Sequence, residues 1–312
     1  MFGGTTIKDS GFSDWTPERL GDQTGKTFVI TGGNSGIGLE AAKILASKGG
    51  AIVIACRNPA KATAAMAQIR ATGSGKVDSI TLDLADLASA RACADELAKK
   101  YPAIDALINN AGIMQTPKQA TADGFELQLG TNHLGHFLLT ALLLPQVEAA
   151  GGRIVVVASI AHKFGKIHFD DLMLERRYDP SIAYAQSKLA NLMFALELDR
   201  RLRKKASPAA AIACHPGYSN TNLQSTGPTG IMKLIYAPMN AIFAQPARLG
   251  AYPTVLAAAE PRAQAGGYYG PTGPFDARGP VSDAKVTAKA LKQSDAARLW
   301  QMSEKLTGVK WP

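Results

Sequence analysis

Tyr184, Ser187 and Lys188 stand in the run Y-A-Q-S-K, which sets a phenol and an ammonium four positions apart. On a helix that spacing is about one turn, so both side chains share a face. A free tyrosine hydroxyl, with a pKa of about 10, is a poor base at neutral pH. A cation held beside it favours the phenolate. The pair is suited to passing a proton to or from a substrate oxygen. Far upstream, Thr31 to Gly38 read T-G-G-N-S-G-I-G, between a strand-like run (Thr27 to Ile30) and a helix-like run (Leu39 to Lys48). Gly32, Gly36 and Gly38 permit a tight bend in which backbone N–H groups approach a pyrophosphate at a helix N-terminus. One motif implies acid–base chemistry and the other a phosphate cradle. A nucleotide-dependent redox enzyme needs both.

These residues must be positioned by an alternating chain. Apolar, β-rich runs occur at Thr27–Thr31, Ala51–Ala55, Val77–Leu82, Ile104–Ile108, Arg153–Ala158 and Ala209–Ala213, with amphipathic stretches between them such as Leu87–Lys100 and Ala183–Lys204. Near-continuous apolar strands suit a parallel sheet covered on both faces. Regular alternation implies right-handed crossovers and a doubly wound α/β sheet. Gly266 to Gly270 offers a last short strand. The expected organisation is an N-terminal arm, residues 1–24, followed by one Rossmann-type domain over residues 25–312. That domain carries an apolar lid at about 218–245 and a C-terminal extension that begins as a Pro/Gly loop at 270 and ends in a helix through Leu299, Trp300 and Leu306. In the arm, Thr16 and Pro17 resemble a helix cap followed by proline at the first helical position.

Composition narrows the function classes. The chain has 312 residues, 46% hydrophobic and 19% charged, with a formal net charge of +9. Much of that charge sits in the cluster Arg200, Arg201, Arg203, Lys204 and Lys205 at the end of a helical pattern, where cations complement the helix dipole. No aromatic residues interleave with it, so nucleic acid is not expected as a partner. Three unpatterned cysteines, Cys56, Cys93 and Cys214, fit a reducing compartment. No apolar run reaches the roughly 18 residues of a membrane span. The expected location is cytoplasmic. The five histidines, His133, His136, His162, His168 and His215, lack a ligand spacing, and no metal is expected.

The end of the second strand reads A-C-R-N. NAD-binding folds often place an acid there to hold the ribose 2′-hydroxyl. This chain has Arg57 instead, a side chain suited to bidentate bonding of phosphate. NADP(H) is therefore the expected cofactor.

Seven motifs in order carry a resemblance: T-G-G-N-S-G-I-G; L-D-L at Leu82–Leu84; N-N-A-G at Asn109–Gly112; T-N-H-L-G-H-F at Thr131–Phe137; Ser159 after the fifth strand; Y-A-Q-S-K; and H-P-G at His215–Gly217. From about Lys26 to Gly217, and more loosely beyond, the chain resembles the short-chain dehydrogenase/reductase family. Its phrases N-S-G-I-G-L-E, A-C-R-N, N-H-L-G-H-F and L-W-Q-M-S-E are similar to the retinol-dehydrogenase-like and WW-domain-oxidoreductase-like branch. Light-dependent protochlorophyllide reductase, a double-bond reductase, resembles this branch too. It carries a cysteine two residues after the lysine, where this chain has Ala190.

The resemblance implies roles. Tyr184 is the expected proton donor and acceptor, Lys188 its ammonium partner and a ligand of the nicotinamide ribose, and Ser159 a hydrogen-bond donor to the substrate oxygen. Asn132 is expected to hold a water linking Lys188 to solvent. Asn34, Ser35 and Ile37 join the three glycines in the cofactor turn; Asp83 and Leu84 meet adenine; Asn110, Ala111 and Gly112 line the adenine-side ribose and the site floor; Pro216, Gly217 and Thr221 flank the nicotinamide carboxamide. Taken singly, Tyr184 would be half-buried packing, Ser159 a strand end and Asn132 a satisfied helix polar group.

The segment after H-P-G is rich in Leu, Ile, Met and aromatic residues, including Leu223, Ile231, Met232, Tyr236 and Phe243. With Phe164, Phe169 and Met173 it implies a bulky hydrophobic carbonyl or alcohol as substrate. A rival reading is an NADP(H)-sensing binding protein without turnover, since a fold does not fix a function. A homo-oligomer is compatible with the resemblance.

Overall fold

The apolar runs become the strands of one sheet, because each is flanked by helices on both faces. The computed structural model describes residues 4–73, 75–219 and 245–311. The strands are β1 Thr27–Thr31, β2 Ala51–Cys56, β3 Val77–Thr81, β4 Ala106–Asn109, β5 Arg153–Val157, β6 Ala210–Cys214, β7 Tyr268–Pro271 and β8 Val281–Asp283. They lie in the order β3-β2-β1-β4-β5-β6-β7-β8. Neighbours run parallel except β7 and β8, which are antiparallel. The order reverses direction between β1 and β4, which places a ligand crevice at their carboxyl ends.

The helices are α1 Gly36–Ser47, α2 Pro59–Arg70, α3 Leu87–Lys100, α4 Leu127–Leu129, α5 Gly135–Ala149, α6 Pro180–Lys204, α7 Ala247–Ala259 and α8 Gln293–Thr307. Alternate strand residues feed two cores. Val29, Val53, Leu107 and Ile154 meet Leu97, Leu143, Leu192 and Leu299 from α3, α5, α6 and α8. Phe28, Ile52, Ile108 and Val155 meet Leu45, Ile69 and Leu256 from α1, α2 and α7. Burial on both faces is why the strands lack an apolar–polar alternation.

Boundaries shift where local bonds decide them. Ile104 gives its N–H to the Gln146 carbonyl of the α5 helix at 2.9 Å, outside the ladder, so β4 starts at Ala106. Helix α6 starts at Pro180, earlier than the expected Ala183, because Asp179 caps it by accepting from the Ser181 and Ile182 N–H groups at 2.8 and 2.9 Å. The expected Pro/Gly loop after residue 270 contains a further strand, β8. Its three residues, V-S-D, are too few to show a period, and its pairing with β7 is set by tertiary contact. Residues 4–24 run beside this end of the chain: Thr5 bridges Val286, and the fully buried Trp15 donates its indole N–H to Glu260 Oε2 at 2.9 Å.

Helix α8 packs across α5 and α6. Trp300 meets Phe137 edge-to-face at 5.1 Å and lies tilted against Trp311 at 4.7 Å, and the Arg201 guanidinium lies 4.2 Å above it. His133 bonds Ser303 Oγ at 2.8 Å beneath the same helix. Among the described residues, no helix is long and apolar enough to cross a membrane.

Trp300→Ala should cost about 3–5 kcal/mol of stability by opening this aromatic cluster. Urea denaturation followed by circular dichroism measures it, and a loss below about 1 kcal/mol would show that α8 adds little. Acid provides a second test. Burial pushes His133 and His215 down to about 3, and His136 and His162 down to about 4. An unfolded histidine titrates near 6.5, so below that pH the unfolded chain binds more protons than the folded one. Stability from these groups is complete above about 6.5 and is lost as pH falls from there toward about 4. Burial raises Glu126 and Asp199, which act in the opposite direction, but four histidines outnumber two carboxyls. The urea midpoint should therefore be lower at about pH 5 than at about pH 7.5, whereas equal midpoints would contradict neutral buried imidazoles.

Candidate active site

The site is built at the carboxyl ends of β1, β4 and β5. After β1 the chain turns through Gly32, Gly33, Asn34 and Ser35 into α1. Ser35 is the N-cap residue and makes no side-chain cap bond, so the first-turn N–H groups around Gly36, Ile37 and Gly38 have no such partner. Gly38 is needed for close approach: a Cβ there would lie 2.4 Å from Asn110 Nδ2. An uncapped helix N-terminus behind a glycine turn fits the pyrophosphate of a dinucleotide.

Thr31, at the end of β1, ties this turn to β4. Its hydroxyl oxygen accepts from the Asn110 and Ala111 N–H groups, both at 2.9 Å, and Asn110 Nδ2 donates to the Thr31 carbonyl at 2.8 Å. The same hydroxyl lies 2.8 Å from His136 Nε2, while His136 Nδ1 lies 2.9 Å from the Asn132 carbonyl. A carbonyl only accepts, so Nδ1 carries the hydrogen and Nε2 accepts from Thr31. Burial, which pushes His136 down to about 4, keeps it in that neutral form.

Asn132 sits in a π-helical turn, Gly130–Leu134, that leads into α5. Such bulges are frequent at functional sites because they displace a residue from helical register. Its Oδ1 accepts from the Ile113 N–H at 2.8 Å, and its Nδ2 donates to the Ile113 carbonyl at 3.0 Å and to Ser187 Oγ at 2.9 Å. Ser187 in turn donates to the Tyr184 carbonyl at 2.9 Å. The buried Lys188 donates to the Val157 carbonyl at 3.0 Å, and its ammonium lies 6.0 Å from the centre of the Tyr184 ring. Burial pushes this ammonium down to about 8. Gly112 borders both groups: a Cβ would stand 3.2 Å from Asn132 Oδ1 and 3.5 Å from Lys188 Nζ.

Ser159 stands two residues beyond Val157 and is partly exposed, as is Tyr184. The structure thus brings Tyr184, Lys188, Asn132 and Gly112 to one place, with Ser159 next along β5. Arg57, Asp83 with Leu84, and Pro216 with Gly217 follow the carboxyl ends of β2, β3 and β6 respectively. Arg57 follows β2 and is exposed, next to Asn58, which caps α2 by accepting from the Lys61 N–H at 2.9 Å. Asp83 Oδ1 accepts from the Ala85 N–H at 3.0 Å, and Leu84 is buried. The Pro216 carbonyl accepts from Gln245 Nε2 at 2.7 Å, and Gly217 has a φ of 66°.

Thr221 and the greater part of the expected lid lie outside the described residues. At its ends, Ser219 and Gln245 are bridged side by side. Of the expected pocket wall, Phe169 and Met173 pack against the hydrophobic core, whereas Phe164 is largely exposed. Among the described residues no group of three or more His, Cys, Asp or Glu side chains is placed to hold a metal. Sequence reasoning did not find Thr31, His136 or His162 as parts of the site. The available signal was a pair of histidines in N-H-L-G-H-F and one just after Ser159, but one-dimensional spacing does not show their partners.

The sequence description of short chain dehydrogenases matches residues 26–229. The chain is 40% identical to human retinol dehydrogenase 12 over 294 residues, spanning 92% of this chain and 88% of that protein. It is 41% identical to human retinol dehydrogenase 13, spanning 92% and 86% respectively. A solved structure of a putative uncharacterized protein from Mycobacterium paratuberculosis is 41% identical, with a TM-score of 0.81 over 96% of this chain and 100% of that one. A short chain dehydrogenase from Burkholderia cenocepacia, solved in complex with NADP, is 26% identical, with a TM-score of 0.62 over 79% of this chain and 96% of that one. With a nucleotide turn on β1 and the Tyr-Lys helix beside it, the chain belongs to the short-chain dehydrogenase/reductase family of oxidoreductases, in its retinol-dehydrogenase-like branch.

Proposed function

We propose that the chain uses NADP(H) to interconvert a carbonyl and an alcohol on a bulky hydrophobic substrate. The observation that carries this reading is the Lys188 ammonium, buried 3.0 Å from the Val157 carbonyl and one helical turn from Tyr184. In reduction, the Tyr184 hydroxyl gives its proton to the substrate oxygen, and in oxidation the phenolate takes it back. Lys188 favours the phenolate by its charge. Ser159 donates a hydrogen bond to the same oxygen and stabilises the charge that grows there. Asn132, held at both ends of its amide, fixes the turn that faces Lys188. When bound, the dinucleotide supplies or accepts the hydride. Gly32, Asn34, Ser35, Gly36, Ile37 and Gly38 would hold its pyrophosphate, Asp83, Leu84, Asn110, Ala111 and Gly112 its adenosine half, and Pro216, Gly217 and Thr221 its nicotinamide half.

Arg57 supports NADP(H) over NAD(H), since it is exposed just after β2 and its planar fork suits a 2′-phosphate in place of the usual acid. The apolar composition of residues 220–244 supports a lipophilic substrate. The human relatives are named for retinol, and an extended apolar aldehyde or alcohol of that kind is the proposed substrate class.

A panel of short polar, long aliphatic and retinoid carbonyls, followed by NADPH absorbance, tests this. Turnover should favour the long apolar compounds, and Tyr184→Phe should lower kcat by about 10²- to 10⁴-fold. Comparable turnover by the variant would contradict the proton donor, and preference for small polar carbonyls would contradict the substrate class. Arg57→Leu should lower kcat/KM for NADPH by about ten- to a hundredfold, the loss of charge-assisted bonds, and leave NADH nearly unchanged. Equal losses with both cofactors would contradict the 2′-phosphate role.

A further inference from the structure

The segment that follows β5 is held from the far end of the chain. Ser159 is the N-cap of a 3-10 turn, Ile160–Lys163, and its Oγ accepts from the Ala161 N–H at 3.2 Å. Among the described residues its hydroxyl proton has no acceptor, so it stays available for an incoming oxygen. The Ser159 carbonyl receives two bonds from one residue. The His162 backbone N–H donates at 3.0 Å and His162 Nδ1 at 2.6 Å. Since a carbonyl only accepts, Nδ1 carries the ring hydrogen and Nε2 is an acceptor, facing the Thr287 N–H at 3.4 Å. The ring is fully buried and stands edge-on to Tyr268 of β7, at 5.5 Å and 89°.

Two further ties reach the same segment from the chain after β6. Lys289 Nζ donates to the Gly165 carbonyl at 2.8 Å, and Lys163 pairs with Asp276. The hydroxyl that must meet a substrate oxygen is thus carried on a short turn, and the carbonyl of the same residue is clamped by an imidazole wedged between that turn and residues 268–287.

We infer that His162 is a positioning residue, which orients Ser159 by holding its carbonyl and couples that orientation to the chain around Tyr268 and Thr287. This rests on the Proposed function, in which Ser159 meets the substrate oxygen. A flat ring with a donor on one edge and an acceptor on the other is what the gap requires. Leucine fills the volume with neither. Asparagine places an amide N–H near the position of Nδ1, and glutamine near that of Nε2.

The test is a double-mutant cycle on the full chain, with the carbonyl that the wild type turns over best and NADPH in excess. Cofactor binding, read by NADPH fluorescence, monitors folding. His162→Leu should lower kcat by about ten- to a hundredfold, as expected for a misplaced hydrogen-bond donor, with little change in NADPH affinity. In an S159A background the same change should cost less than about twofold, because the group it positions is gone. H162N should retain most of the activity and H162Q should not. Equal losses from H162L in the two backgrounds, or H162Q outperforming H162N, would overturn the inference. If H162L does not fold, the H162N and H162Q pair decides it. Turnover of no carbonyl by the wild type would defeat the Proposed function and this inference together. Additive losses in an active enzyme would defeat this inference alone.

Discussion

A lysine buried without a carboxylate partner among the described residues is the constraint around which the rest is arranged. Lys188 is 3% exposed and its ammonium is held by the Val157 carbonyl. A cation in such a place is costly unless bonded, and burial pushes it down to about 8. Keeping it there requires β5 to end at Val157, α6 to run beside it, and residue 112 to lack a side chain. Beside the Val157 carbonyl, the ammonium is bordered by Gly112 and by the Tyr184 ring at 6.0 Å. A buried, strongly perturbed titratable group of this kind is the expected mark of a functional site.

Buried neutral histidines do the positioning. His136 spans from Thr31, at the base of the nucleotide turn, to the Asn132 carbonyl in the π-helical turn. His162 spans from the Ser159 carbonyl to the chain near Thr287. Each uses one ring edge as donor and the other as acceptor, which a single protonation state allows and a charged imidazole would not. His136 thereby fastens the glycine turn to the π-helical turn, and His162 fastens the turn after β5 to the chain near Thr287. Regular secondary structure alone would leave their ends free.

Much of this was legible in the chain. The bounds of β1 and α3 follow from apolar runs and caps, and the one-turn spacing of Tyr184 and Lys188 needs only helix geometry. Asn132, Ser159 and the glycine turn were legible through the order of motifs. What was not legible depends on pairing over long separations. Thr31 and His136 are 105 positions apart, and His162 and Thr287 are 125 apart. No periodicity reports such a contact. Strand β8 is too short to show alternation, and it exists because β7 offers it an open edge. Phe169 and Met173 read as pocket lining by their chemistry, and the sequence does not show their partners: both are partly buried against the core, with Met173 Sδ meeting the Glu126 N–H at 3.2 Å and Phe169 4.4 Å under Arg298.

The most direct measurement is a crystal structure of the chain with oxidised NADP. The account requires the pyrophosphate on the α1 N-terminus, the nicotinamide ribose bonded by Lys188, and the Tyr184 hydroxyl turned toward the nicotinamide face that exchanges hydride. A dinucleotide bound in another crevice, or one that leaves Lys188 bonded to Val157 alone with Tyr184 turned away, would contradict it.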